Sequence, residues 1–422
     1  MPFHRAISHA TILVACAALS VGCSGDDSAQ ADAGSDAVAA APVDAGFDAA
    51  LAPNDASGDA TAPIDAPPTP DAASPEAGID ATVDGGSDAS SEADAEPVAD
   101  ATDEGADVAP PPEYLNPVLA QDFPDPFVLR QGSTYFAFAT NAGASNIQAA
   151  SSTDLAHWTV LGDALPILPV WSVTTFGLTW APAILQRGAD SFTMYYTARD
   201  KASGFQCVSY AVATNPAGPY VDSSTSALVC QVSGAQSFCG SIDPSPFVDV
   251  DGTAYLVWKS DENASACNRP TRLWSAPLSA DGTSLAGPPS QLLVTDQTWQ
   301  QGIIEGPAMT LVGGKYYLLY SANNYQSAAY AMGYATCLSP TGPCENVSVD
   351  GAAIFSEASA LGPGGGSFFD DARGDHWLVY HAWTAPQTTY AGGGMRSLRV
   401  DRLVYDGGAL SLAGPTTTQQ PL

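Results

Sequence analysis

PFVDVDGTAYLVWKSD, residues 246–261, is an apolar run, a turn at Gly252 and an aromatic-rich run. The glycine allows positive φ, and β-branched and aromatic residues flank it, so the stretch reads as a β-hairpin. The same grammar recurs in PFVLRQGSTYFAFAT (126–140), PAILQRGADSFTMYYTA (182–198), PAMTLVGGKYYLLYSAN (307–323) and SFFDDARGDHWLVYHAW (367–383). The glycines that mark the turns, Gly132, Gly188, Gly252, Gly314 and Gly374, lie 56 to 64 residues apart. A fixed period of this length is the mark of a repeat architecture.

The strands alternate yet are strongly apolar, as expected when both faces of a sheet are covered. No long 3.6-residue periodicity interrupts them. Further short strands fit between the hairpins, giving about four strands per repeat. The expected fold is therefore all-β, a five-bladed β-propeller over residues 113–422, in which blade packs on blade around an axis. A pair of β-sandwiches with coincidental hairpin spacing is the alternative.

The rest of the chain differs in kind. Residues 1–23 carry Arg5, an apolar run from Ala10 to Val21 and then Gly22-Cys23. The run is too short to span a bilayer, so it reads as an export signal. A small residue before Cys23 resembles a bacterial lipoprotein signal, although Ser20 stands where that pattern prefers a large aliphatic residue. The expectation is an exported protein, either lipidated at Cys23 on the cell surface or secreted. Contact with a membrane is expected only through that anchor. Residues 24–112 hold 21 acidic side chains and no Lys or Arg, among Ala, Pro, Gly and Ser. With so little to bury, this segment is expected to be a disordered linker, about 50 Å end to end as a coil. It carries most of the net charge of −32, so the acidity describes the tether. The few Lys and Arg of the propeller segment exclude a nucleic-acid surface.

Six cysteines lie in the propeller segment, and an even number in an exported chain suggests disulfides. Cys337 and Cys344 flank a turn-rich loop and form the expected pair; Cys207, Cys230, Cys239 and Cys267 are left unassigned. No CxxC spacing supports a zinc site.

A proline recurs before the first strand of each repeat: Pro126, Pro182, Pro244, Pro307 and Pro363. In a propeller that strand lines the central channel. Its leading residues should meet at one mouth: Asp125, Trp180-Ala181, Asp243, Glu305-Gly306 and the glycine run 362–366. Any one of these acids alone is an ordinary turn residue. Three on one register form a cluster whose mutual repulsion and desolvation raise at least one pKa, as acid–base chemistry requires. No GxSxG elbow, P-loop or dinucleotide fingerprint offers another chemistry.

At this point the chain resembles glycoside hydrolase family 43, over about residues 115–405. The motifs are DFPDPFVLR from Asp122, SSTDLAHW from Ser151, TWAPAI from Thr179, GSIDPSPFVDVDGTAYLVW from Gly240, IEGPAM from Ile304 and LVYHAW from Leu378. The resemblance implies an inverting hydrolase with Asp125 as general base, Glu305 as general acid and Asp243 tuning and orienting Glu305. Two carboxyls that admit a water between them suit inversion. It implies Trp180 and Phe123 as the lining of the sugar pocket, with Asp122 a decoy for Asp125. His157 and Trp158 are expected to be structural. His381 is expected near the channel floor, either as a ligand of a central ion such as calcium or as a structural residue; no cofactor is otherwise required. Many relatives carry Gly-Pro-Gly-His in the fifth blade, whereas residues 362–365 here are Gly-Pro-Gly-Gly, which puts such an ion in doubt.

The EGPAM…YYLLYSANNY stretch looks most like exo-acting α-L-arabinofuranosidases of that family. The expected partner is plant cell-wall polysaccharide or oligosaccharide, arabinan or arabinoxylan, met by a monomer. Endo-arabinanase, β-xylosidase and a non-catalytic carbohydrate-binding propeller are the rival readings. A sucrose- or fructan-acting propeller is disfavoured, because its donor motif has Cys where Gly306 stands.

Overall fold

The computed structural model describes residues 112–422 except 233–237. The export signal, Cys23 and all but the last residue of the linker lie outside the described residues. A short strand β1 (Glu113–Tyr114) precedes the blades. The first blade is β2 (Phe127–Gln131), β3 (Thr134–Ala139), β4 (Gln148–Ser152) and β5 (Thr159–Val160). The second is β6 (Thr179–Gly188), β7 (Ser191–Arg199) and β8 (Gln206–Ala213), with bridges from β8 to Val221 and Val229 along its outer edge. The third is β9 (Ser241–Val248), β10 (Ala254–Ser260), β11 (Arg272–Pro277) and β12 (Ser290–Val294). The fourth is β13 (Ile304–Val312), β14 (Lys315–Ala322), β15 (Ala331–Cys337) and β16 (Cys344–Asn346). The fifth is β17 (Ala360–Asp370), β18 (His376–Thr384), β19 (Arg396–Asp406) and β20 (Ala409–Leu412), and β21 (Gln420–Pro421) closes the chain by pairing with β1.

Every blade is an antiparallel sheet of consecutive strands. The inner strands touch in a closed ring: β2, β6, β9, β13, β17 and back to β2. Period-2 alternation sends neighbouring residues to opposite faces, and each face meets a different blade. Ile184 packs toward the first blade with Phe138 and Phe192, while Leu185 packs toward the third with Leu256 and Trp258. Leu318 faces the third blade and Leu319 the fifth. The result is one core between each pair of blades, the fifth joining blades five and one around Phe369, Trp377 and Tyr135. A fully buried Phe or Leu contributes about 1.5–3 kcal/mol, which explains how a two-sided apolar hairpin is stabilised only inside the ring.

The segment before the first blade bonds β19 of the fifth through the Leu119–Leu398 bridge and Phe123 N to Arg396 O, and closure rests on these and on side chains as well as on β1 and β21. Asp401, fully buried, accepts hydrogen bonds from Tyr114 Oη (3.0 Å), Asn116 Nδ2 (3.1 Å), Tyr380 Oη (2.7 Å), and Thr416 N and Oγ1 (3.0 and 2.6 Å). Asp401→Ala strands these donors in the interior. It is expected to cost roughly 3 kcal/mol or more, read as a lowered melting temperature; an unchanged melt would show that the network does not hold the ring closed.

Three disulfides join Cys207 to Cys230, Cys239 to Cys267 and Cys337 to Cys344. The last links directly paired residues of β15 and β16.

The turns depart from expectation in the second blade. Gly132, Gly252, Gly314 and Gly374 have positive φ, whereas Gly188 does not. It ends β6, and Ala189-Asp190 make the turn. A second correction concerns the fifth blade. In every inner strand two residues bulge opposite one residue of the next strand: 125–126, 181–182, 243–244, 306–307 and 365–366. The first of each pair is left-handed: Asp125 (φ 52°), Ala181 (47°), Asp243 (56°), Gly306 (54°) and Gly365 (59°). The fifth blade carries two such bulges, Gly362-Pro363 and Gly365-Gly366, and it is Gly365 within the run 362–366 that donates its N–H to the preceding blade. Proline takes the second position in the bulges of the first four blades and in the extra bulge of the fifth, because its fixed φ suits that position.

Candidate active site

The bulges turn the leading ends of the five inner strands toward one mouth, and a ring of hydrogen bonds ties them together. The left-handed residue of each blade donates its N–H to the preceding blade. Ala181 N donates to Thr140 Oγ1 (2.9 Å), Asp243 N to Thr197 Oγ1 (3.2 Å), Gly365 N to Ser321 Oγ (2.9 Å) and Asp125 N to His381 Nδ1 (3.0 Å). Each of these acceptors holds the same place on the second strand of its blade. In the third blade that place belongs to Lys259, an ammonium that can only donate. The Gly306 N–H is accepted instead by Asp243 Oδ2 (2.9 Å), and Lys259 Nζ turns to Glu305 Oε2 (2.8 Å) and Asp261 Oδ1 (3.3 Å).

One lysine therefore organises two of the three acids. It is 1% exposed, and such burial of an ammonium is tolerated only when it is paired. Glu305 stands one residue before its left-handed position, while Asp125 and Asp243 occupy theirs, so the three are offset in register. The other oxygen of Glu305 accepts from Tyr330 Oη (2.8 Å). Asp125 accepts from Thr140 Oγ1 at Oδ2 (2.6 Å) and from Arg396 Nη1 at Oδ1 (3.3 Å). Arg396 is held by aromatic faces, 4.9 Å from the Tyr325 centroid and 5.6 Å from that of Tyr390, a cation–π cage that keeps a permanent charge beside Asp125. Non-glycine residues at positive φ cost about 1–3 kcal/mol each and cluster at functional sites; Asp125, Ala181 and Asp243 are three of them at one mouth.

Burial pushes the Asp243 carboxyl up to about 7; Lys259 offsets part of this, and the charges of Glu305 and Asp125 add to it. The folded chain thus holds a proton there that the unfolded chain gives up near the ordinary carboxylate value. The stability this contributes is complete below about pH 4 and is lost as pH rises through 7. Asp243→Asn is expected to melt a few degrees higher than wild type at pH 8 and to lose that advantage at pH 4. Parallel melting curves from pH 4 to 8 would contradict the assignment.

The remaining expected site residues divide. Trp180 sits at the mouth, half-buried, with its indole N–H donating to Gly177 O (3.2 Å). Phe123 is corrected: it is fully buried in the core between blades five and one and has no face to offer a sugar. Its backbone bonds Arg396 O (2.8 Å), which carries the side chain inward. Asp122 Oδ1 accepts the Arg396 N–H (3.0 Å) and anchors β19. His157 is exposed and bonded to Asp154 (2.9 Å), and the Trp158 indole donates to Leu155 O (2.9 Å); both shape the first-blade turn.

His381 is fully buried, and burial pushes its pKa well below the usual imidazole value, so the ring is neutral. Because Nδ1 accepts the Asp125 N–H, the ring proton lies on Nε2, which makes no hydrogen bond among the described residues. A protonated nitrogen is not a metal ligand. Among the described residues no three His, Cys, Asp or Glu side chains are grouped to hold a metal. The donor set therefore does not fit His381 as a direct ligand of a central ion, and its bond closes the interblade ring instead. A side chain at Gly365 would meet His381 Nδ1 at 2.8 Å and Asp125 Oδ1 at 2.9 Å, so a histidine has no room there.

Lys259, Tyr330 and Arg396 were missed in the sequence. A lysine inside the apolar strand YLVWKS was a signal, in a chain with only 13 Lys and Arg; Tyr330 carried none.

Comparison with known proteins agrees with this architecture. A β-D-galactofuranosidase, xynD, of Aspergillus niger is 28% identical over 281 residues, covering 63% of this chain and 75% of the relative. An arabinoxylan arabinofuranohydrolase of Bacillus subtilis is 26% identical over 295 residues, 61% of this chain and 52% of the relative. The crystal structure of a thermostable family-43 glycoside hydrolase superposes with a TM-score of 0.63 at 30% identity, covering 73% of this chain and 98% of that one. The sequence model described as glycosyl hydrolases family 43 matches residues 114–409, and with the five-bladed ring and its three acids at one mouth the chain belongs to that family.

Proposed function

We propose that this chain is an inverting exo-α-L-arabinofuranosidase that releases arabinose from arabinan or arabinoxylan. The observation that carries the reading is the union of Asp125, Asp243 and Glu305 at one channel mouth, with Asp125 on the first blade and Glu305 on the fourth. Asp125, acting as base, removes a proton from a water as that water's oxygen bonds the anomeric carbon. The bond from that carbon to the leaving oxygen breaks, and Glu305 delivers a proton to the leaving oxygen. The water supplies the new hydroxyl, and the aglycone leaves as an alcohol. Asp243, which keeps its own proton up to about pH 7, orients the strand that carries Glu305 through the Gly306 N–H and is not the source of the transferred proton. Lys259 faces the charge that forms on Glu305, already in place before reaction. Trp180 offers an aromatic face at the mouth.

The working place of the enzyme is proposed to be outside the cell, as a secreted or Cys23-anchored monomer on the acidic tether; the features of residues 1–112 support this. The arabinose reading is supported by the named activity of the Bacillus subtilis relative and by the EGPAM…YYLLYSANNY stretch. Proton NMR of the first-formed sugar from an aryl α-L-arabinofuranoside tests the mechanism. Initial β-arabinose supports inversion; initial α-arabinose would require a covalent route and remove the base role from Asp125.

A further inference from the structure

The fifth-blade glycine run brings a residue of the fourth blade against the acid. Tyr330 precedes β15 and is 2% exposed. Its ring lies on the backbone of Gly364: a Cβ there would stand 2.0 Å from Tyr330 Cε1 and 2.6 Å from Cδ1. The ring also stacks on His381, with centroids 6.1 Å apart and planes 12° apart, and His381 Nδ1 receives the Asp125 N–H. The hydroxyl ends 2.8 Å from Glu305 Oε1. One aromatic side chain thus joins the imidazole behind Asp125 to the carboxyl of Glu305, in space that exists only because residue 364 has no side chain.

We propose that Tyr330 is a positioning residue for proton donation by Glu305, and that Gly364 is required because it makes room for the Tyr330 ring. The inference rests on the hydrolase reading above. A free glutamate side chain samples several rotamers. Here Lys259 fixes one oxygen and Tyr330 the other, which sets the carboxyl plane and its reach to the leaving oxygen. Both groups are donors, so both stabilise the carboxylate that appears as the proton departs. The other titratable groups facing Glu305 are Asp243, Asp261 and Tyr325, and Asp125 acts on Asp243, Tyr325 and Tyr330; the donor on Oε1 is Tyr330.

The test is Tyr330→Phe in the full chain, which keeps the ring and removes the O–H. With a natural arabinoside, kcat/KM is expected to fall roughly 10- to 100-fold. The alkaline limb of its pH profile should move up by roughly one unit, since a carboxylate that has lost a donor holds its proton longer. An aryl arabinoside with a very good leaving group should lose much less. Gly364→Ala forces the ring away and should reproduce the same displacement of the limb with a larger loss. A Tyr330→Phe enzyme with an unmoved limb and equal losses on both substrates would overturn the positioning role, as would a fully active Gly364→Ala enzyme. If wild type itself hydrolyses nothing, the hydrolase reading fails first, and the inference fails with it.

Discussion

Glu305→Gln is expected to lower kcat/KM on natural arabinosyl linkages by about 10²–10⁴-fold while leaving the melting temperature within a few degrees of wild type. The amide accepts and donates at nearly the same places, so the contacts to Lys259 and Tyr330 are partly retained, but it has no proton to give. The loss should shrink sharply on an aryl glycoside whose phenolate leaves without protonation. Equal losses on both substrates would place Glu305 outside the donor role. The side chain is 16% exposed, open enough to reach a leaving oxygen and closed enough to keep solvent from supplying the proton instead.

Asp125→Asn should abolish hydrolysis of both substrate kinds, by about 10³-fold or more, because the attacking water must lose its proton whatever the leaving group. The asparagine oxygen can still accept from Thr140 or Arg396, and the main-chain bond to His381 is unaffected, so the ring of blades stays closed. External azide offers a direct check: as a small anion that needs no deprotonation, it should restore turnover of the aryl substrate with a glycosyl azide as product. Residual activity near wild type would move the base role elsewhere. Asp122 is poorly placed to take it, since its carboxyl is bound to the Arg396 main chain.

The fold was legible because its governing signals are local. A glycine turn between two apolar, aromatic runs announces a hairpin, and five such hairpins at a fixed period announce a ring. The acids were legible for a related reason: the bulge that aims them is built from a left-handed residue followed by proline in four blades. Where that local mark strayed, the reading strayed with it. In the fifth blade Gly362-Pro363 forms a bulge of its own ahead of Gly365-Gly366, and only the N–H of Gly365 to Ser321 identifies the equivalent position. Phe123 was misplaced because a residue just outside a strand has no alternation to tell which way it faces. The supporting groups were hidden by distance along the chain. Arg396 meets Asp125 across 271 residues and His381 meets it across 256, while Lys259 and Tyr330 reach Glu305 from other elements. The contacts of Arg396 and His381 are created by closing the ring, those of Lys259 and Tyr330 by packing within and between neighbouring blades, and no short stretch encodes them.

The central claim is that this ring of blades holds an arabinose-releasing catalyst. The most direct measurement is to incubate the protein with debranched arabinan, arabinoxylan and xylo-oligosaccharides and to separate the products by anion-exchange chromatography. The account predicts free arabinose without arabino-oligosaccharides and no xylose. Arabino-oligosaccharides or xylose as main products would contradict the exo-arabinofuranosidase assignment, and no released sugar from any of the three would contradict the catalytic reading of Asp125, Asp243 and Glu305 altogether.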